Sequence, residues 1–204
     1  MGGGSQIHGR ERNGQGSEAS LINTTSAVIF SEPEIHVERT GGTLAAKYGK
    51  KCSCWDIAPS PEYFQELFRV SQNQIIWGGN YFNLPPTRCF IVWRKLTISE
   101  AFSMAMCEYA WTSFNDNAKL FEYAPQDSTR FHPTQKPVAL YKWLLKKFAN
   151  PGNKILDTHV GSASSLIACY EMGFEYIGFE IDECYFSLAS ERLEAVKSQL
   201  RFEG

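Results

Sequence analysis

The sequence predicts an α/β fold, a mostly parallel sheet with an antiparallel hairpin, wrapped by helices. Three observations carry this expectation. From Phe131 to Arg192 the chain alternates an amphipathic run (138–148), an apolar run ending Lys154-Ile155-Leu156-Asp157, a turn containing Gly161, a second amphipathic run closed by Gly173, and the run Tyr176 to Phe179. This helix–strand–turn–helix–strand order is half of a doubly wound nucleotide-binding unit. Acids stand where two of the strands end, Asp157 and, 23 residues later, Glu180. Finally, Met106–Thr112 and Ala118–Tyr123 flank Asn115-Asp116-Asn117, which is hairpin chemistry.

The elements follow in order. Residues 1–23 are rich in Gly, Ser and charge, too poor in apolar groups to order themselves, and are expected to be a disordered lead before a single domain over 24–204. Ala27–Phe30 is a short buried strand, followed by Ser31-Glu32-Pro33-Glu34-Ile35. Residues 36–60 form a loop with Gly41-Gly42 and the basic cluster Lys47, Lys50 and Lys51; it is either a solvated loop or a flap that contacts phosphates. Pro61–Val70 is a helix with Ser60 as cap, Pro61 in the first turn, and Tyr63, Phe64, Leu67 and Phe68 on one face. Gln74–Trp77 is a strand, and Gly78-Gly79-Asn80-Tyr81-Phe82 follows at its carboxyl end. Those residues either turn the aromatics back into the core or place Asn80 and Tyr81 in a ligand pocket. Cys89–Trp93 is another strand. Pro137 opens the next helix, with Lys146 and Lys147 at its negative end. The last helix, from Glu183 to about Leu200, reads as packing.

Composition narrows the classes. A chain of 204 residues suits one domain. No run has the length of a membrane span, and the N-terminus lacks the apolar core of a signal peptide, so no membrane partner is expected. The six scattered cysteines suit a reducing cytoplasm, and Cys52-Ser53-Cys54, without a second pair, is no metal-site spacing; no metal is expected. A net charge of −2 requires any nucleic-acid surface to be local.

The turn after Asp157 speaks to the ligand. Ligands of open α/β sheets lie outside the carboxyl ends of the strands, and an acid about 20 residues on holds ribose hydroxyls. A dinucleotide needs close backbone approach at several glycines, whereas only Gly161 is present; a nucleoside without phosphates, such as S-adenosylmethionine, fits better. Gly161 allows the tight turn, and Ser162 and Ser164 are natural caps of the following helix.

The motifs resemble those of the amino-group DNA methyltransferases, which methylate adenine N6 or cytosine N4. The likeness is to the permuted, phage-like class, whose catalytic motif precedes the cofactor motif. His132-Pro133-Thr134-Gln135-Lys136-Pro137 matches the family hexapeptide at every position. Asp157, Gly161 and Ser162 match the family loop Asp-Pro-Phe-x-Gly-Ser-Gly, while Thr158, His159 and Ala163 depart from it; Gly178-Phe179-Glu180-Ile181-Asp182 also matches. The resemblance implies a Rossmann-like S-adenosylmethionine-dependent methyltransferase fold. It implies cofactor binding by Asp157, Gly161, Ser162, Glu180, Asp182, His132, Thr134, Gln135 and Lys136, and a base pocket at Asn80 and Tyr81. It also implies double-stranded DNA as partner, as in DNA methylation and restriction-modification. The family's Asp-Pro-Pro-Tyr corresponds to Ser31–Ile35 in one of two registers; the one placing Glu32 and Pro33 first makes them the catalytic pair, and neither keeps the aromatic residue. Glu32 favours adenine as the target. Two other readings remain: a homologue that binds cofactor or DNA without turnover, and a nicotinamide-dependent oxidoreductase, which the missing glycines and the hexapeptide disfavour.

Overall fold

The computed structural model describes residues 5–9, 27–31, 58–102, 104–125 and 128–201. Its strands are β1 (Ser5–Gly9), β2 (Ala27–Ser31), β3 (Asn73–Trp77), β4 (Phe90–Lys95), β5 (Cys107–Thr112), β6 (Lys119–Tyr123), β7 (Lys154–Asp157) and β8 (Glu175–Glu180). Its helices are α1 (Pro61–Val70), α2 (Val138–Phe148), α3 (Ser164–Glu171) and α4 (Glu183–Arg201). One sheet holds all eight strands in the order β1-β8-β7-β2-β3-β5-β4-β6. Strands β8, β7, β2 and β3 run parallel, and β5 is antiparallel to both of its neighbours. The sheet is therefore of the expected Rossmann-like kind.

Alternation along the strands sorts side chains to two faces. On one face Phe30, Ile75 and Ile155 pack with Leu140, Leu144 and Leu145 of α2 and Leu166 and Ile167 of α3. On the other, Leu67 of α1 packs with Ile76, Trp111 and Leu156, flanked by Tyr63, Phe64 and Phe68. Leu144 has no exposed surface, and burying such a side chain is worth about 1.5–3 kcal/mol. Sequence periodicity and burial agree here because each element has one apolar side to hide.

Three expectations need correction. Within the expected disordered lead, Ser5–Gly9 form an edge strand antiparallel to β8, and Ile7 is buried in the core; an open sheet edge gives even a polar segment backbone partners. The rest of residues 1–23 lies outside the described residues. The expected hairpin of β5 with β6 does not form. The more apolar β4 lies between them, antiparallel to β5 and parallel to β6, while β6, with mostly exposed or half-buried side chains, takes the sheet edge. The antiparallel pair of strands consecutive in sequence is thus β4 with β5. Third, neither Ser60 nor a serine of the 161–164 turn caps a helix with its side chain; α3 starts after Ala163, whose φ is 61°.

Among the described residues no helix is long and apolar enough to cross a membrane. None of their His, Cys, Asp and Glu side chains cluster as a metal site.

Candidate cofactor site

The adjacent parallel strands β2 and β7 lead away in opposite senses. Among the described elements, the next after β2 is α1 on one face, while β7 is followed by α3 on the other and then β8. The crevice between their carboxyl ends is a topological switch point, where such sheets bind ligands. Asp157 ends β7 there, and Glu180 ends the neighbouring β8.

Both carboxylates are buried and held by the turn. Asp157 Oδ1 accepts the His159 N–H at 2.9 Å, and Oδ2 accepts the Ser165 hydroxyl. Glu180 Oε2 accepts the Gly161 N–H at 2.8 Å, and Oε1 accepts the Asp182 N–H at 3.0 Å. Burial pushes the Asp157 carboxyl up to about 6; its hydrogen bonds oppose the rise and the Glu180 charge adds to it. Burial likewise raises Glu180, against the amides of Asp182 and Gly161. Two buried acids that repel each other at a crevice suit hydroxyl donors or a cation. A carboxylate has about four lone-pair sites, so each Glu180 oxygen keeps one after bonding the backbone.

The hexapeptide packs over this turn. Gly161 has φ 53°, and a Cβ there would lie 3.2 Å from the His132 ring, so only glycine passes beneath the imidazole. The His132 ring meets Tyr185 edge-on at 4.3 Å, and its Nδ1 accepts the Thr134 N–H at 3.3 Å with the Thr134 hydroxyl at 3.2 Å. Gln135 Oε1 accepts the Phe131 N–H at 3.3 Å. Arg130 donates to the carbonyls of His132 and Pro133.

Most of the expected cofactor residues therefore meet: Asp157, Gly161, Ser162 and Glu180 in the turn and strand ends, with His132, Thr134 and Gln135 above them. Asp182 also commits Oδ1 to the N–H groups of Cys184 and Tyr185, capping α4. Lys136 stays within electrostatic reach of the site, its charge lowering both the Asp157 carboxyl and the His132 imidazole. Its ammonium pairs with Glu108 of β5 at 3.0 Å and sits 5.0 Å from the centre of the Trp77 ring. Asn80 and Tyr81 lie in a 3-10 turn after β3; both are exposed, Tyr81 by 61%. That turn requires Gly79, where a Cβ would stand 2.4 Å from Trp111 Cβ. Glu32, Pro33 and the 36–57 part of the flap lie outside the described residues.

Several contributors were not read from sequence. Arg192 of α4 donates to the Ser162 carbonyl at 2.7 Å and to Ser164 Oγ at 2.9 Å, so this helix holds the turn as well as packing. Tyr63 of α1 bonds Thr158 Oγ1 at 2.8 Å.

The two site histidines predict a pH dependence. Burial, then the charges of Lys136 and Arg130, lower His132 to about 4, with Asp182 opposing; burial lowers His159 to about 4. Unfolded histidine protonates near 6.5, so both groups favour the folded state fully above that pH and lose this contribution as pH falls toward 4. Urea unfolding at stepped pH should show stability decreasing through that window, with both imidazoles still neutral by NMR at pH 6. An imidazole charged at pH 6 would contradict the burial seen here.

The mostly parallel sheet, with helices on both faces and acids at its switch-point crevice, is that of the Rossmann-like S-adenosylmethionine-dependent methyltransferases. A family model described as DNA methylase (N6_N4_Mtase) matches residues 60–191, and the chain belongs to that family. It is 39% identical over 64 residues to the type II methyltransferase M.HpaI of Haemophilus parainfluenzae, covering 31% of this chain and 20% of that protein. It is 37% identical over 68 residues to the DNA adenine methyltransferase YhdJ of Escherichia coli K12, covering 33% and 23%. The chain thus matches less than a quarter of either relative's length. Among solved structures, the PvuII cytosine-N4-specific DNA methyltransferase superimposes with a TM-score of 0.57 at 11% identity, over 88% of this chain and 87% of that one. The M1.HpyAVI–SAM complex gives 0.53 at 19%, over 83% and 90%. These two likenesses are of fold.

Proposed function

We propose that this chain is a DNA methyltransferase that moves a methyl group from S-adenosylmethionine to an exocyclic amine, adenine N6, in double-stranded DNA. The observation that carries this reading is the pair of buried acids, Asp157 and Glu180, on either side of the Gly161 turn at the switch point. A nucleoside with a cationic side chain offers hydroxyls and positive charge to such a pair, and the membership in the DNA methylase family agrees.

In this reading Glu180 takes the ribose hydroxyls and the Gly161–Ser162 turn lies against the nucleoside. The hexapeptide residues His132, Thr134 and Gln135 shape the methionine end. The cofactor supplies an electrophilic methyl group. The chain does the rest. Asn80 and the exposed Tyr81 ring line a pocket for a base flipped from the duplex, and Glu32, after Pro33 has fixed its turn, accepts from the target amine. Orientation of the amine lone pair is the main contribution of such groups. Residues 24–204 act as one domain, with 36–60 a DNA-contacting flap. A second reading, cofactor binding without turnover, is favoured by one observation: Ser31–Ile35 lacks the aromatic residue of the family motif.

Tritiated methyl transfer to DNA from methylation-deficient cells, with calorimetry of S-adenosylhomocysteine, tests both readings. Transfer that falls in Glu32→Ala while binding persists supports the first. Binding without transfer establishes the second, and absence of both removes the cofactor reading.

A further inference from the structure

The end of the sheet opposite the cofactor crevice holds a cavity. The acids of the crevice end β7 and β8, whereas Gln74 lies near the start of β3, which runs parallel with them. The cavity beside Gln74 has a volume of about 390 Å³. Small-molecule sites occupy roughly 300–1,000 Å³. Its walls are rings, among them Phe68 of α1, Trp111 of β5, Pro85 and Pro86. Phe68 and Trp111 meet edge-on at 5.8 Å, and the Trp111 indole N–H is spent on the Pro85 carbonyl at 2.7 Å. Walls of this kind suit a flat ring.

Gln74 supplies a fixed acceptor. The residue is only 3% exposed. Its Nε2 donates to the Ser71 carbonyl at 3.0 Å and to Ser71 Oγ at 2.9 Å. A carbonyl only accepts, so the amide cannot be turned round. Ser71 Oγ spends its own hydrogen on the Leu67 carbonyl at 2.6 Å and is left accepting from Gln74. Both amide hydrogens are thereby used. Oε1 bonds nothing among the described residues, yet it is not one of their buried unpaired polar atoms, which are Trp77 Nε1 and Tyr176 Oη. It therefore reaches open space, and for a residue this deeply buried that space is the cavity it lines.

Ser113 supplies a donor. Ile75 pairs with Thr112, and the Ser113 N–H donates to the Gln74 carbonyl at 3.1 Å, so Ser113 stands across from Gln74 on the same face. Its Oγ accepts the Gln74 backbone N–H at 2.9 Å. Its hydroxyl hydrogen has no acceptor among the described residues, and Ser113 is exposed on the cavity wall. The neighbouring hydroxyls of Thr87 and Thr112 are spent on the Cys89 carbonyl. Arg88 at the rim is held by Asn117, within reach of the Asp116 charge, so the opening favours a neutral ligand.

We propose that this cavity binds a nucleobase whose ring N–H stands beside a carbonyl, the imide edge of thymine or uracil. The N–H donates to Gln74 Oε1, the carbonyl accepts from the Ser113 hydroxyl, and the ring lies against Trp111 and the two prolines. One buried acceptor is matched by the one ring hydrogen of an imide. The site stands apart from the cofactor crevice and does not depend on the methyl-transfer reading.

Proton–nitrogen NMR of the full chain, titrated with thymidine to millimolar concentration, tests this. The reporter is the Trp111 indole N–H, assigned through its contacts with Phe68 and Pro85. Thymidine should shift it equally with and without saturating S-adenosylhomocysteine. N3-methylthymidine lacks the hydrogen and sets a methyl group against Oε1, so it should bind at least about tenfold more weakly. Ser113→Ala, at an exposed position that leaves the core intact, should weaken thymidine roughly fivefold, the scale of one neutral hydrogen bond. A Trp111 signal that does not move, or N3-methylthymidine that binds as well as thymidine, overturns the proposal. Unchanged affinity in Ser113→Ala overturns the paired donor and acceptor and leaves only contact with the rings. A shift that S-adenosylhomocysteine abolishes assigns thymidine to the cofactor crevice and overturns the separate site.

Discussion

Replacing Glu180 by alanine should lower affinity for S-adenosylhomocysteine on the order of a thousandfold, because a carboxylate holding two ribose hydroxyls makes two charged hydrogen bonds of about 1.5–3 kcal/mol each. The side chain is pre-set for this. Its two oxygens are pinned by the Gly161 and Asp182 amides, so little freedom remains to be lost on binding. Burial and the Asp182 charge hold the group above the usual carboxylate range, and hydroxyl donors would bring it back down. Calorimetry on the folded variant, checked by circular dichroism, reads the effect. Glu180→Gln should be intermediate, since one amide oxygen can still accept. Affinity unchanged in Glu180→Ala would remove the ribose from this acid and with it the nucleoside reading of the crevice.

Glu108→Ala should unfold the protein more easily by about 3–5 kcal/mol, the cost of leaving a buried charge without its partner. Glu108 lies between two ammonium groups, Lys95 at 2.7 Å and Lys136 at 3.0 Å, whose side chains are only 9% and 1% exposed. Without the carboxylate both cations remain in the interior, and the Trp77 face is a weak substitute. Burial by itself would raise the Glu108 carboxyl, but Lys136 and Lys95 outweigh it and lower the group to about 2. A lowered carboxylate stabilises the fold fully above its unfolded value near 4.5 and loses that contribution as pH falls toward 2. Thermal unfolding at neutral pH should therefore show a drop on the order of 10 °C. The gap between wild type and Glu108→Ala should narrow below pH 4. Because Lys136 belongs to the hexapeptide, the variant should also bind S-adenosylhomocysteine less well. A stability change under 1 kcal/mol would mean that water reaches these ammonium groups.

The parts of the site that were legible in the sequence are those built from neighbours in the chain. Asp157, Gly161 and Glu180 follow from a strand, a turn and the next strand, and local spacing dictates where a strand-end acid stands. The helix spans were legible for the same reason: Leu140, Leu144 and Phe148 recur at helical period and are buried. The His132–Pro137 match singled out a turn that packs over Gly161, although it did not show that Lys136 faces Glu108. Local pattern misled at β5 and β6, where polar Asn115-Asp116-Asn117 looks like a hairpin turn. The order of strands depends on which has the most surface to bury, and β4 won the inner position.

By itself, then, the sequence determined the alternation of elements, the acids at the strand ends, the glycine turn and the family that these motifs belong to. Only the tertiary structure decided what holds them: Arg192 on the Ser162 carbonyl, Tyr63 on Thr158, Thr158 on the β2 carbonyl and Lys136 on Glu108. Those contacts join residues 28 to 128 positions apart. Pairing of that kind is selected by which buried donor finds an acceptor once the sheet has closed, and no local spacing encodes it.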